Sequence, residues 1–221
     1  MNWPGVCAAV IPCFNEERTI ESVVRSVTPH LPTVIVVDDG STDATAKQAQ
    51  NAGVKVLRSA SNCGKGAALR RGWNEAFAQG FQWALCLDGD GQHSADDIPV
   101  FFRTAEQTSA LLVIGNRMGT PRQMPWLRRC VNRWMSRQLS KRTGRPLPDS
   151  QCGFRLMNLQ AWSRLAMTAA HFEVESELLL GFVAAGYKVE FVPIHTIYKG
   201  TPSKIHPLRD TVRWFKWWWR H

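Results

Sequence analysis

The 221-residue chain contains no run of apolar residues approaching the roughly 20 that a membrane-spanning helix needs, although 44% of it is hydrophobic. It has no Gly/Ser-rich or Pro-rich linker, so one domain with one sizeable core is expected. Its six cysteines, Cys7, Cys13, Cys63, Cys86, Cys130 and Cys152, form no C-x-x-C pair and stand in no pattern with histidine. That argues against zinc and dithiol chemistry and for reduced core residues in a cytosolic protein. Met1-Asn2-Trp3-Pro4 lacks the basic flank of a secretory leader, and the apolar run behind it is of strand length. Charge of one sign is missing too. Between Glu106 and Asp149 there is no acidic residue, while nine lysines and arginines fall there, as much positive charge as the net +9 of the whole chain. A basic block without acids meets phosphate, whether of lipid or of nucleic acid. No aromatic stacking surface or groove-reading helix accompanies it, so nucleic acid is not the expected partner.

What is present centres on Leu85-Cys86-Leu87-Asp88-Gly89-Asp90-Gly91-Gln92-His93. Trp83 to Leu87 is short, apolar and bounded by glycines, which predicts a buried central strand. Side chains at i and i+2 of an extended segment point the same way, so Asp88 and Asp90 are placed to grip one cation at the strand's end. Hard oxygen ligands suit Mg²⁺ or Mn²⁺, ions that share their shell with substrate phosphates. Gln92 and His93 are further candidates for that shell. Asp and Gly are also turn formers, so a tight turn is the competing reading of the triplet.

The flanking chain alternates strands with helices. Val6 to Ile11, Thr33 to Val37, Val54 to Leu57, Trp83 to Leu87 and Leu111 to Gly115 read as strands, with helical patterns between them. Asp38 and Asp39 follow the second strand, where open α/β sheets bind ligands, and are placed to meet a nucleotide's base or ribose. Gly64-Lys65-Gly66 opens a helix and suits an anion, but it lacks the full G-x-x-x-x-G-K-[ST] spacing of a P-loop. The segment from Trp126 to Arg142 reads as a helix with Leu127, Val131, Trp134 and Gln138 along one stripe and Arg129, Arg133 and Arg137 along a parallel one. Asp149 precedes Gly153-Phe154-Arg155, Glu173 to Gly186 is helical with acids at its start, and Lys188 to Ile194 returns as a strand.

Seven motifs in order carry a resemblance that runs nearly end to end. They are Val10-Ile11-Pro12-Cys13-Phe14-Asn15-Glu16-Glu17, Val36-Val37-Asp38-Asp39-Gly40-Ser41-Thr42-Asp43, Asn62-Cys63-Gly64-Lys65-Gly66, Asp88-Gly89-Asp90-Gly91-Gln92-His93, Gly115-Asn116-Arg117, Gly153-Phe154-Arg155 and Ser203-Lys204. Together they resemble the inverting family 2 glycosyltransferases, and within them the polyprenyl-phosphate sugar synthases of the dolichyl-phosphate mannose synthase type. The resemblance implies an α/β protein of GT-A fold, a mainly parallel twisted sheet flanked by helices with a Rossmann-like nucleotide-binding half. It implies a nucleoside-diphosphate sugar as donor, with Pro12, Asn15, Glu16, Asp39, Lys65 and Lys204 on the donor side. Asp88, Asp90 and Gln92 would meet metal and diphosphate. Arg117, with Arg129 and Arg133, would take the phosphate of a polyprenyl acceptor. Gly89 stands where many members have Ala, and many members continue into C-terminal membrane spans beyond the point reached here by His221.

The acceptor is accordingly read as a polyprenyl phosphate or another membrane-bound molecule. A hydroxyl acceptor would need a carboxylate base, for which Asp149 is the nearest candidate, and an ion pair with an arginine is the competing reading of that residue. A nucleotidyltransferase on a related sheet is a further alternative. Residues 1–206 are expected to form the catalytic domain and 207–221 a Trp-rich amphipathic helix on the inner face of the cytoplasmic membrane. Within it Arg209, Arg213, Lys216 and Arg220 share one stripe; Leu208, Val212, Phe215, Trp218 and Trp219 cluster elsewhere, and Trp214 and Trp217 fill the flank.

Overall fold

The computed structural model describes residues 1–119, 124–197, 213–215 and 217–219. Among them a short N-terminal helix α1 (Trp3–Val6) leads into β1 (Cys7–Cys13), every residue of which is buried. The strand continues through Pro12, which pairs in register with Val37; on its other side the ladder with β4 ends at Val10 and Cys86, so the missing N–H breaks no bond there. Helix α2 (Ile20–Val27) buries Ile20, Val23, Val24 and Val27, and each such aliphatic side chain contributes about 1.5–3 kcal/mol on leaving water. Then come β2 (Val34–Asp38), α3 (Thr45–Asn51), β3 (Lys55–Arg58), α4 (Lys65–Ala78) and β4 (Trp83–Cys86). The second half contains α5 (Ile98–Thr108), β5 (Leu112–Asn116), α6 (Trp126–Thr143), β6 (Arg155–Asn158), α7 (Leu159–Trp162), α8 (Val174–Ala184) and β7 (Val189–Pro193).

The strands form one sheet in the order β3-β2-β1-β4-β6-β5-β7. Pairings are parallel throughout except for β6, which runs antiparallel to both β4 and β5. The mainly parallel α/β fold expected from the sequence is therefore present. Strand β6 is not among the strands expected from the sequence; it lies between the Gly153-Phe154-Arg155 motif and the short helix α7. Its reversal decides the site. The C-terminal ends of β1, β2, β4 and β5 open on one edge of the sheet, and the antiparallel β6 begins at that same edge. The loop before β6, from Asp149 to Gly153, is thus delivered beside Asp88.

Helix α6 differs from its sequence reading in which face it buries. Asn132, Met135, Ser136 and Leu139 face inward, whereas Leu127 and Trp134 are exposed. The aromatic C-terminal residues explain part of this reversal: Trp134 lies 5.6 Å from the Trp214 ring and 5.2 Å from the Phe215 ring. Trp214 and Trp217 are in the core, and the Trp214 indole N–H donates to Ser176 Oγ at 2.9 Å. The two tryptophans assigned to the flank of a surface helix are therefore the ones that anchor this stretch to the domain, and Phe215 and Trp219 point outward.

Candidate active site

The edge where the parallel strands end collects the sequence's candidate residues. After β1, Asn15 adopts a left-handed conformation with φ 54°, which its short amide tolerates. Its side-chain oxygen accepts from the Thr42 N–H at 2.9 Å, and its own N–H donates to Ser41 Oγ at 2.9 Å. The Glu16 N–H donates to Thr45 Oγ1 at 2.7 Å. These bonds lock the Pro12 to Glu16 loop onto the loop after β2.

Asp38 and Asp39 are both buried, and both do structural work. Asp38 Oδ1 accepts from the Ser41 N–H at 2.9 Å, and Oδ2 stands 3.3 Å from Arg58 Nε without a hydrogen-bonding geometry. Its carboxylate is wholly withdrawn from solvent. Asp39 accepts from the backbone N–H groups of Cys63 at 2.9 Å and Gly64 at 2.8 Å. It thereby fixes the Gly-Lys-Gly loop at the start of α4, where Gly64 takes φ 97°.

That loop aims Lys65 at the acidic motif. Lys65 Nζ lies 2.6 Å from Asp88 Oδ1 and 2.7 Å from Glu175 Oε1, and 5.7 Å from the centre of the Phe172 ring. Burial works against the ammonium, but Asp88 and Glu175 hold its pKa above the ordinary lysine value. Burial likewise opposes ionisation of Asp88; Lys65, and then His93 with Nε2 at 3.5 Å from Oδ2, hold it well below the usual carboxylate range. Gly153 closes over the cluster. A Cβ there would come within 2.8 and 2.9 Å of the two Asp88 oxygens and 3.0 Å of Lys65 Nζ, so any larger residue would push these side-chain ends aside.

Asp90 Oδ1 accepts from the Gln92 N–H at 3.0 Å, and the side-chain oxygen of Gln92 is 3.5 Å from an Arg128 nitrogen on α6. The Gln92 carbonyl accepts from the Ile197 N–H at 2.9 Å, and His93 forms an isolated bridge with Thr196. The acidic turn is thus held between α6 and the segment after β7. No group of three or more His, Cys, Asp or Glu side chains stands ready to enclose a metal among the described residues. The donor set nonetheless fits a hard divalent cation of the kind that takes the rest of its shell from phosphate. Asp88 is 29% exposed at its side chain, and Asp90 is half-buried with one oxygen engaged.

On the other side of the loop before β6, Asp149 is fully buried against Arg117. Arg117 donates from Nε to Oδ2 and from a terminal nitrogen to Oδ1, both at 2.8 Å, and from its backbone N–H to Oδ2 at 3.0 Å. Of the two readings of Asp149, the geometry is that of an ion pair with an arginine, and the Arg117 guanidinium donates to it from two nitrogens. Arg129 is half-buried and Arg133 exposed on α6, and Lys204 lies outside the described residues. Glu175 was missed because an acid in the first turn of a helix is accounted for by the helix dipole, and nothing local distinguishes it from Glu177. The latter accepts from the backbone N–H groups of Thr168 and Ala169 at 3.0 and 2.9 Å.

The sheet edge thus gathers Asp88, Asp90, Lys65 and Glu175 beside the glycine-rich start of α4. The fold is that of the GT-A glycosyltransferases. The crystal structure of glucosyl-3-phosphoglycerate synthase from Mycobacterium tuberculosis in complex with Mn²⁺, UDP and phosphoglyceric acid superimposes with a TM-score of 0.73 at 23% identity, covering 96% of this chain and 75% of that one. The chain belongs to glycosyl transferase family 2, whose model matches residues 8–165. It is 30% identical over 212 residues to the UDP-N-acetylglucosamine–dolichyl-phosphate N-acetylglucosaminyltransferase of Methanococcus voltae, covering 86% of this chain and 84% of that protein. It is also 30% identical over 218 residues to glycosyltransferase AglJ of Haloferax volcanii, covering 95% and 70%. No helix among the described residues is long and apolar enough to cross a membrane.

Proposed function

We propose that this family 2 glycosyltransferase moves a sugar, with inversion, from a nucleoside diphosphate to the phosphate of a membrane-held polyprenyl chain. The observation that carries the choice of acceptor is the closure of Asp149 by Arg117. A hydroxyl nucleophile needs a base to take its proton, whereas a lipid phosphate is already ionised near neutral pH and needs only to be held. The carboxylate beside the basic segment is committed to an arginine, and the outer face of α6 offers Arg129, Arg133 and Arg137 for an anion. Trp126 and Leu127, 69% and 50% exposed at the start of α6, suit the lipid that carries it. The Methanococcus voltae relative, named for a dolichyl-phosphate acceptor, supports the same reading.

On the donor side, Pro12, Asn15, Glu16 and Asp39 line the nucleotide, and Asp88 and Asp90 hold Mg²⁺ or Mn²⁺ with Gln92 beside them. The metal, when bound, supplies positive charge against the departing diphosphate. Gly153 lets the β6 loop approach Asp88 closely enough to shield this charge from water. The outward Phe215 and Trp219, with the basic face of α6, rest on the cytoplasmic membrane surface, where the acceptor is presented.

The test is to supply the full chain and Mn²⁺ with UDP- and GDP-linked hexoses, offering undecaprenyl phosphate or undecaprenol in detergent, and to follow the nucleotide and lipid products. Nucleoside diphosphate release and a sugar-lipid formed only with the phosphate are expected. Transfer to the alcohol would overturn the acceptor, and release of pyrophosphate the reaction. Asp90→Asn should lower turnover by about a hundredfold or more with the fold intact; full turnover of that variant in chelator would reject the metal.

A further inference from the structure

Lys65 is an unusual neighbour for a metal-binding carboxylate. Its Nζ sits 2.6 Å from Asp88 Oδ1, and a buried ammonium and a divalent ion repel each other. A lysine held by Asp88 alone would compete with metal for that carboxylate. It would be left as an unpaired buried charge whenever the metal took its place, and a charge in that state is costly. The structure provides for this with Glu175. One Glu175 oxygen already accepts from Lys65 at 2.7 Å, and the other, Oε2, is buried with no hydrogen-bond partner. That carboxylate is 5% exposed, its backbone carbonyl is fixed by an Arg155 nitrogen at 2.6 Å, and the Phe172 ring flanks the ammonium.

We propose that Glu175 is a positioning residue that acts through Lys65: it is the berth onto which the ammonium withdraws so that Asp88 is released to a divalent cation. The inference rests on the assignment of Asp88 and Asp90 to the metal. The unpartnered Oε2 is what gives it content, since an ammonium with three donors that gives up Asp88 gains an acceptor already in place. Before metal arrives, Lys65 neutralises both the part-exposed Asp88 and the buried Glu175. Afterwards it remains paired while the charge on Asp88 is free. Asp88 and Glu175 both touch the same Lys65 nitrogen, at 2.6 and 2.7 Å, so the exchange needs movement of the lysine's end only.

The experiment measures Mn²⁺ binding directly, by water-proton relaxation, with the full chain and Mn²⁺ alone and again with UDP or GDP. Glu175→Gln should bind Mn²⁺ more weakly by about tenfold to a hundredfold, the range found for groups that support metal ligands. Glu175→Asp should recover part of the loss. The decisive variant is Lys65→Met combined with Glu175→Gln: with the competing ammonium gone, Mn²⁺ affinity should return toward that of the unaltered chain. A merely structural Glu175 would not be rescued by removing a second charged residue. Circular dichroism and melting temperature report folding separately. Wild-type affinity in folded Glu175→Gln overturns the inference while leaving the metal assignment intact, as does a double variant no better than the single one. Failure of the unaltered chain to bind Mn²⁺ in any of these conditions overturns both.

Discussion

Arg117 and Asp149 meet through two parallel hydrogen bonds of 2.8 Å, with the arginine's own backbone N–H adding a third at 3.0 Å, and both side chains are withdrawn from solvent. The pair ties the end of β5 to the loop that precedes β6. It is therefore a strut between these two segments, and its behaviour is predictable.

Removing one partner leaves the other charge buried, so Asp149→Asn should destabilise the fold by about 3–5 kcal/mol, read from urea unfolding. Burial opposes ionisation of Asp149, and Arg117 overrides it, lowering the pKa below its ordinary value. A depressed folded-state pKa gives stability that is fully present above the unfolded value of about 3.9 and lost as pH falls through the folded one. The unaltered chain should lose this contribution in strong acid, and the variant should lack that part of the acid dependence. Equal stability of the two proteins at neutral pH would show that the pair is not a strut.

Gly153→Ala should fold but transfer sugar poorly. The added methyl would push the Asp88 carboxylate or Lys65 aside, and since a full ångström of misplacement costs about a hundredfold in rate, this smaller shift should cost about tenfold. Steady-state kinetics beside a thermal melt would decide it, with unchanged turnover as the adverse result.

Arg129 and Arg133 are better probes of acceptor binding than Arg117, whose loss would also unbalance Asp149. Hydrogen bonds to charged groups are worth about 1.5–3 kcal/mol, so each alanine variant should raise the acceptor's KM about tenfold or more. Nucleotide affinity, titrated independently, should hold. A collapse of nucleotide binding with an unchanged acceptor KM would place these arginines on the donor.

Truncating the C-terminus would remove Trp214 and Trp217 from the core along with any membrane contact, so a surface test must spare them. Phe215→Ser with Trp219→Ser changes the outward residues, 38% and 85% exposed. Flotation with anionic vesicles should drop several-fold, and melting temperature should change little. Undiminished flotation would remove these side chains from the membrane surface.

The sequence by itself determined the alternation of strands and helices, the placing of Asp88 and Asp90 at a strand's end, and the segregation of positive charge after β5. These follow from local information: apolar period, turn residues and the sign of neighbouring charges. It did not determine which partner each buried charge would find. Asp38 ends β2 and Asp90 lies in the turn after β4, yet one is fully buried and the other only half-buried. Asp149 and Glu175 read as a loop acid and a helix-start acid until β6 reverses direction and α8 packs beside α4. Only then do residues 32 positions apart close an ion pair and Lys65 come within reach of an acid 110 positions away. The same holds for Trp214 and Trp217, whose place on a helical wheel gives two apolar faces without saying which will meet the domain. Burial energy is set by the surface that arrives opposite, and that surface is assembled from distant parts of the chain.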